Sequence, residues 1–84
     1  MVEEVVVAKE IILERMREMV GPIALPTIMM YMPKEWKEGY THGTYPTKMV
    51  EIVCTATSEL IAEGKLGLSS HVNHGYLEYA LTLV

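Results

Sequence analysis

A chain of 84 residues, half of them hydrophobic, predicts one small domain over residues 1–84 that must hold itself together by core packing. Seven basic and eleven acidic side chains give a net charge of −4, which excludes a long-range pull of the whole molecule on nucleic acid or anionic lipid. One cysteine excludes an internal disulfide and any multi-cysteine zinc site, and fits a reducing compartment.

The first element is a helix over about residues 3 to 20. Val5, Ala8, Ile12, Met16 and Met19 recur at steps of three and four, with charged side chains between them. Glu3 and Glu4 suit the positive end of its dipole, Glu14 and Arg17 stand at a pairing distance, and Gly21-Pro22 stops it. Met1-Val2-Glu3-Glu4 lacks the basic flank of a secretory signal, so the expected location is cytoplasmic. Residues 22 to 25, Pro-Ile-Ala-Leu, predict a short strand. A second helix starts at Pro26, is apolar nearly all round and therefore expected to be buried, and is kinked or closed by Pro33. The longest uncharged stretch, Met19 to Pro33, is broken by Pro22 and Pro26 and falls short of the ~20 apolar residues of a membrane span.

Residues 37 to 45 hold two glycines, two tyrosines and no aliphatic side chain, a turn-rich loop of the kind that carries function. Pro46 opens a third helix to about residue 63, with Met49, Val53, Ala56 and Leu60 as its stripe. Gly64 caps it, and Lys65 to Ser70 alternates as a strand. His71-Val72-Asn73-His74-Gly75 reads as a hairpin tip, and Tyr76 to Val84 as the returning strand. All eleven acids are glutamate and the chain has one asparagine and no glutamine, a balance known from hot environments, against which stand seven methionines.

The order helix, strand, helix, helix, strand, strand, an α+β arrangement with a C-terminal β-hairpin, resembles a winged helix-turn-helix domain. Glu59-Leu60-Ile61-Ala62-Glu63-Gly64-Lys65-Leu66-Gly67-Leu68 resembles the passage from recognition helix to wing in small bacterial, archaeal or viral repressors of that superfamily. Gly75-Tyr76-Leu77-Glu78-Tyr79-Ala80-Leu81-Thr82 resembles their returning wing strand, and Gly21-Pro22-Ile23-Ala24-Leu25 their first short strand. The long 37–45 loop departs from the tight turn usual between their second and third helices. The resemblance implies a third helix that enters the DNA major groove and a transcriptional regulator that works as a homodimer.

On that reading Thr47, Lys48, Glu51, Thr55 and Ser58 face base edges and phosphates, and His71, Asn73 and His74 touch the flanking backbone. Lys34, Lys37 and Tyr40 mix cations with an aromatic ring in and beside the loop, where double-stranded DNA would be gripped. Trp36 reads as a core cap and Cys54 as an inert thiol beside the buried stripe. Val6, Ile11 and Leu13 lie off the main stripe of helix one, which marks them as a dimer interface. His42, His71 and His74 make a poor metal site, no catalytic constellation stands out, and neither an enzyme nor a cofactor is expected. The competing expectation is a winged-helix module that binds protein, motivated by the acidic balance, the absence of Lys and Arg from the tip, and five tyrosines with one tryptophan. A continuous positive strip along helix three and the hairpin favours DNA, and a neutral or acidic surface favours protein.

Overall fold

A computed structural model describes residues 2–84, with the side chains of His71 and Asn73 outside the described part. The elements in chain order are α1 (Val2–Glu18), β1 (Ile23–Ala24), α2 (Leu25–Met29), α3 (Thr47–Ala62), β2 (Leu66–Asn73) and β3 (Tyr76–Leu83), with a 3₁₀ turn at Lys34–Lys37. The protein is thus an α+β fold of three helices and one antiparallel sheet in the order β1–β3–β2.

The core is built from three periodicities that meet on one face of the sheet. Helix α1 supplies Val5, Ala8, Ile12 and Met16, and α3 supplies Met49, Ile52, Val53, Ala56 and Leu60. Strands contribute alternate residues, because successive side chains point to opposite faces. Ile23, Leu81 and Leu68 stand opposite one another in a row across β1, β3 and β2, so they share a face. Burial in that row stops at the edge: Ile23 and Leu81 are 5% and 2% exposed, while Leu68 is 61% exposed. The helices cover the base of the sheet and leave the outer hairpin uncovered.

Helix α3 ends where the sequence places its stop. Gly64 adopts φ +76°, its N–H donates to the Ile61 carbonyl, and the Lys65 N–H reaches back to the Leu60 carbonyl. That paired bonding closes the last turn and turns the chain directly into β2.

Several expectations need correction. Helix α2 is one short turn and a half, ending at Met29 rather than running to Pro33. Pro33 lacks a backbone donor and disfavours a helical Met32, so residues 30–33 leave the helix through turns. That segment is not buried all round: Ile28, Met29 and Met32 enter the core, whereas Met30 is 62% exposed. The hairpin is longer and its tip shorter than expected. The strands pair without interruption from Leu66↔Leu83 to Asn73↔Tyr76, leaving a two-residue turn at His74-Gly75. His74 and Gly75 both have positive φ, the requirement of the primed turns that fit strand twist. The same dipeptide recurs at His42-Gly43, again with both φ positive, between Thr41 and Thr44, which exchange backbone hydrogen bonds of 3.2 and 2.8 Å. In α1 the ion pair shown is Arg15 with Glu18 at 2.9 Å, and the Arg15 guanidinium also lies 4.9 Å from the Tyr31 ring centre.

Candidate functional site

The non-core side of α3 divides into three flanks. Toward α1 lie Lys48, whose Nζ is 3.5 Å from a Glu4 carboxylate oxygen, and Glu59, whose carboxylate is 2.8 Å from Lys9. Thr55 belongs to this flank too. It is half-buried in a shallow groove with Val2, Val5, Val6, Lys9 and Glu59, whereas Ser58, one turn further on, is exposed. The outward ridge carries Thr47, Glu51 and Ser58, all exposed. Toward the hairpin stand Cys54, Thr57, Ser58 and Ile61. The expected DNA-reading set thus shares one face of about 100° of the helix, exposed at Thr47, Glu51 and Ser58 and bordered by α1 at Lys48 and Thr55. Its one lysine reaches toward α1, and the ridge keeps one carboxylate.

Lys9 is the electrostatic clasp between α1 and α3. Its ammonium lies 2.8 Å from carboxylate oxygens of both Glu59 and Glu63, with only 19% of its side chain exposed. The hydrogen bonds to Glu59 and then Glu63 hold its pKa above the ordinary 10.5, and the bond from Lys9 holds Glu63 below 4.5. The depressed Glu63 contributes stability that is present above 4.5 and lost as pH falls below it. The raised Lys9 contributes stability present below 10.5 and lost as pH rises past it. Thermal midpoints of the native chain and Lys9→Met are thus expected to differ by a constant amount from about pH 5 to 9, with the gap closing below that window. A gap independent of acid pH would mean that this clasp is not an ionic contribution.

Beyond the helices, β2 and β3 expose one continuous apolar row. Val72 stands opposite Leu77 and Ser70 opposite Tyr79, on the same face as Leu68 and the buried Leu66 and Leu81. Val72 is 73% exposed, Leu77 60% and Tyr79 61%. A groove of about 220 Å³ runs between this row and α3, bounded by Leu25, Cys54, Ser58, Ile61, Leu68 and Tyr79. Thr57 stands at its inner wall, and its Oγ1 is buried with no hydrogen-bond partner among the described residues. Cys54 is exposed here, so the thiol expected beside the buried stripe faces the groove instead. Between Leu66 and Leu83 the sequence has no Lys or Arg and one Glu.

At the other end of α3, Lys34, Lys37, Tyr40 and Tyr45 surround an open depression of about 540 Å³ with Met30 and Glu38. The Tyr40 and Tyr45 rings meet at 4.7 Å, and Lys37 Nζ donates to the Met30 carbonyl at 2.9 Å. The loop thus gathers cations and rings as its composition suggests, yet Glu35 and Glu38 sit among them. Trp36 packs against the core cluster, in its expected capping place. Of the three helix-one residues, Ile11 and Leu13 pack partly buried against the core, and Val6 is 48% exposed. His74 is exposed in the hairpin turn, while His71 and Asn73 fall outside the described side chains.

Sequence reasoning missed the groove and the unpartnered Thr57. The available signal was the same-parity series Leu66, Leu68, Val72 and Leu77, Tyr79, Leu81, Leu83, whose apolar face is longer than one helix layer can cover. Among the described residues no group of three His, Cys, Asp or Glu side chains is placed to hold a metal ion, and no helix is long and apolar enough to cross a membrane. Comparison with known protein families, with curated proteins and with solved structures finds no match.

Proposed function

We propose that this chain is a winged-helix-type domain that docks another polypeptide through the hairpin face and its groove with α3. The succession α1–β1–α2–α3–β2–β3 and the β1–β3–β2 sheet support the winged-helix part of this reading. The observation that carries the docking part is the exposed row Leu68, Val72, Leu77 and Tyr79 on a hairpin without Lys or Arg. Exposed apolar patches on the order of 400 Å² mark interaction sites on small proteins, and desolvating such a patch drives association with another apolar surface. Phosphate recognition draws on cations, which this surface lacks.

A second reading keeps a specific observation of its own. Lys34, Lys37 and Lys48, with Tyr40 and Tyr45, stand near the N-terminal end of α3, which suits a homodimeric DNA-binding regulator. If each of these three lysines neutralised one phosphate, log K would fall against log salt with a slope near −2.7 per chain.

The test immobilises the native chain beside a Leu77→Glu/Tyr79→Glu variant and titrates duplex DNA of mixed sequence against both at about 50 mM salt and upward. Expected are a polypeptide retained by the native chain and lost from the variant, and no duplex binding. Duplex bound equally by both proteins, with a salt slope that collapses in Lys34→Glu/Lys37→Glu, would overturn the docking reading in favour of DNA.

A further inference from the structure

We propose that the polypeptide taken up at the hairpin is a second copy of this chain, whose β2 pairs antiparallel with β2 about a two-fold axis through Ser70. The inference rests on the docking reading above and names a partner that pairs with the free β2 edge beside the apolar row, leaving the face of the row and the α3 groove open. The product is one six-stranded sheet shared by two chains.

In the order β1–β3–β2, strand β2 is paired on one side only, over eight residues in unbroken register with β3. Its free side presents alternate backbone N–H and C=O groups. Proteins that stay apart blunt such an edge with lysine, proline, a bulge or a very short strand. Leu66-Gly67-Leu68-Ser69-Ser70-His71-Val72-Asn73 has no lysine and no proline, its register has no bulge, and it is long for an edge.

A two-fold contact makes every pairing twice, residue i with j and j with i, and sets only the axial residue against its own mate, so a fixed charge at or next to the axis would stand close to its own copy. From Leu66 to Leu77 the chain has no Lys, Arg or Glu, and Lys65 and Glu78 lie just outside. Side-by-side antiparallel strands related by a two-fold normal to the sheet keep their faces, so the axis must pass through a residue. With Ser70 on the axis, Leu68 stands opposite Val72 of the second copy, and Val72 opposite its Leu68. These are two exposed apolar side chains of one face, 61% and 73% accessible. An axis through Ser69 would set Leu68 against Ser70, and an axis through His71 would set Val72 against Ser70, so neither neighbour makes this match.

Leu77 and Tyr79 lie behind Val72 and Ser70 on β3, so the pairing joins two apolar rows into one band that crosses the axis.

Light scattering after size exclusion, run from about 1 to 500 µM, reads the association directly. The native chain is expected to pass from monomer to dimer in that range. Val72→Lys, at a position too exposed to disturb the fold, is expected to raise the dissociation constant at least ~ten-fold with an unchanged thermal midpoint. In a Cys54→Ser background, Ser70→Cys is expected to cross-link to its mate under mild oxidation, because directly opposed residues approach within disulfide range, while Gly67→Cys is not. A monomer throughout, or a dimer that survives Val72→Lys and is lost in Val6→Glu, would overturn the pairing. A monomer that still retains another polypeptide through Leu77 and Tyr79 overturns the self-pairing and keeps the docking reading. A monomer that binds only duplex DNA overturns both.

Discussion

Leu60→Ala is expected to destabilise the protein by about 2–5 kcal/mol, a range typical of a buried leucine truncated in a core that cannot collapse around the gap. Leu60 is fully buried, four residues after Ala56 on the α3 stripe, and belongs to the cluster that joins α1, α2, α3 and the sheet. Its carbonyl also receives the Lys65 N–H that turns α3 into β2, a bond the alanine variant keeps. The loss therefore isolates packing from capping. A domain of this length has about 4–13 kcal/mol of total stability, so the variant stands near the limit of folding. Its midpoint should fall by about 8–40 °C. Leu68→Ala supplies the contrast. With Leu68 61% exposed, its truncation should stay within about 0.5 kcal/mol in the monomer. Urea denaturation of both variants at low protein concentration decides the matter, and equal effects would show that the core does not end where the Ile23–Leu81–Leu68 row leaves it.

The positions that the sequence makes legible are those where one periodic pattern dictates one face. Val5, Ala8, Ile12 and Met16 are spaced for a single helical stripe and all four are buried. Gly64 follows a helical run and takes the left-handed conformation that only its missing Cβ makes inexpensive. Residues 26–33 are harder to read because their apolar composition has no periodicity to lose. Ile28, Met29 and Met32 go inward and Met30 outward because the chain abandons the helix before Pro33, which changes the direction in which the following side chains point. In the hairpin, strand parity shows which side chains share a face but not how far the helical layer extends over it. Exposure rises from 2% at Leu81 to 61% at Leu68 on neighbouring strands, with no change in residue type. The division of α3 into flanks has a similar cause. Thr47, Lys48, Glu51, Thr55 and Ser58 all lie off the apolar stripe, and it takes α1 to draw Lys48 toward Glu4 and to cover Thr55. Charge is assigned to a surface only once the neighbouring elements are in place.

That placement also bears on the choice between polypeptide and nucleic acid. Lys9, Lys48 and Lys65 each have a glutamate within 4 Å, and Lys37 bonds a backbone carbonyl. A phosphate must compete with these partners for each of those lysines, which lowers the gain from counterion release. An apolar partner meets no such competition on the hairpin, where the exposed groups are Leu68, Val72, Leu77 and Tyr79.

Thr57→Val is expected to stabilise the protein by about 1 kcal/mol, a sign opposite to that of most core substitutions. Thr57 is 7% exposed and its Oγ1 has no hydrogen-bond partner among the described residues, so the hydroxyl has given up water without a replacement. Valine has nearly the same shape, a similar helix propensity, and a χ1 preference suited to a helix interior. The exchange therefore removes the buried polar group while leaving the wall of the groove beside Cys54 and Ile61 in place. The midpoint should rise by about 4–8 °C. Thr57→Ser, which keeps the hydroxyl and removes a methyl, should destabilise instead, so the pair separates polarity from volume. Were Thr57→Val to destabilise by more than about 0.5 kcal/mol, the hydroxyl would have to be satisfied in solution by a water or guest in that groove. The α3–hairpin surface would then be a polar binding site with Thr57 at its floor, and an apolar partner would no longer be the one it fits.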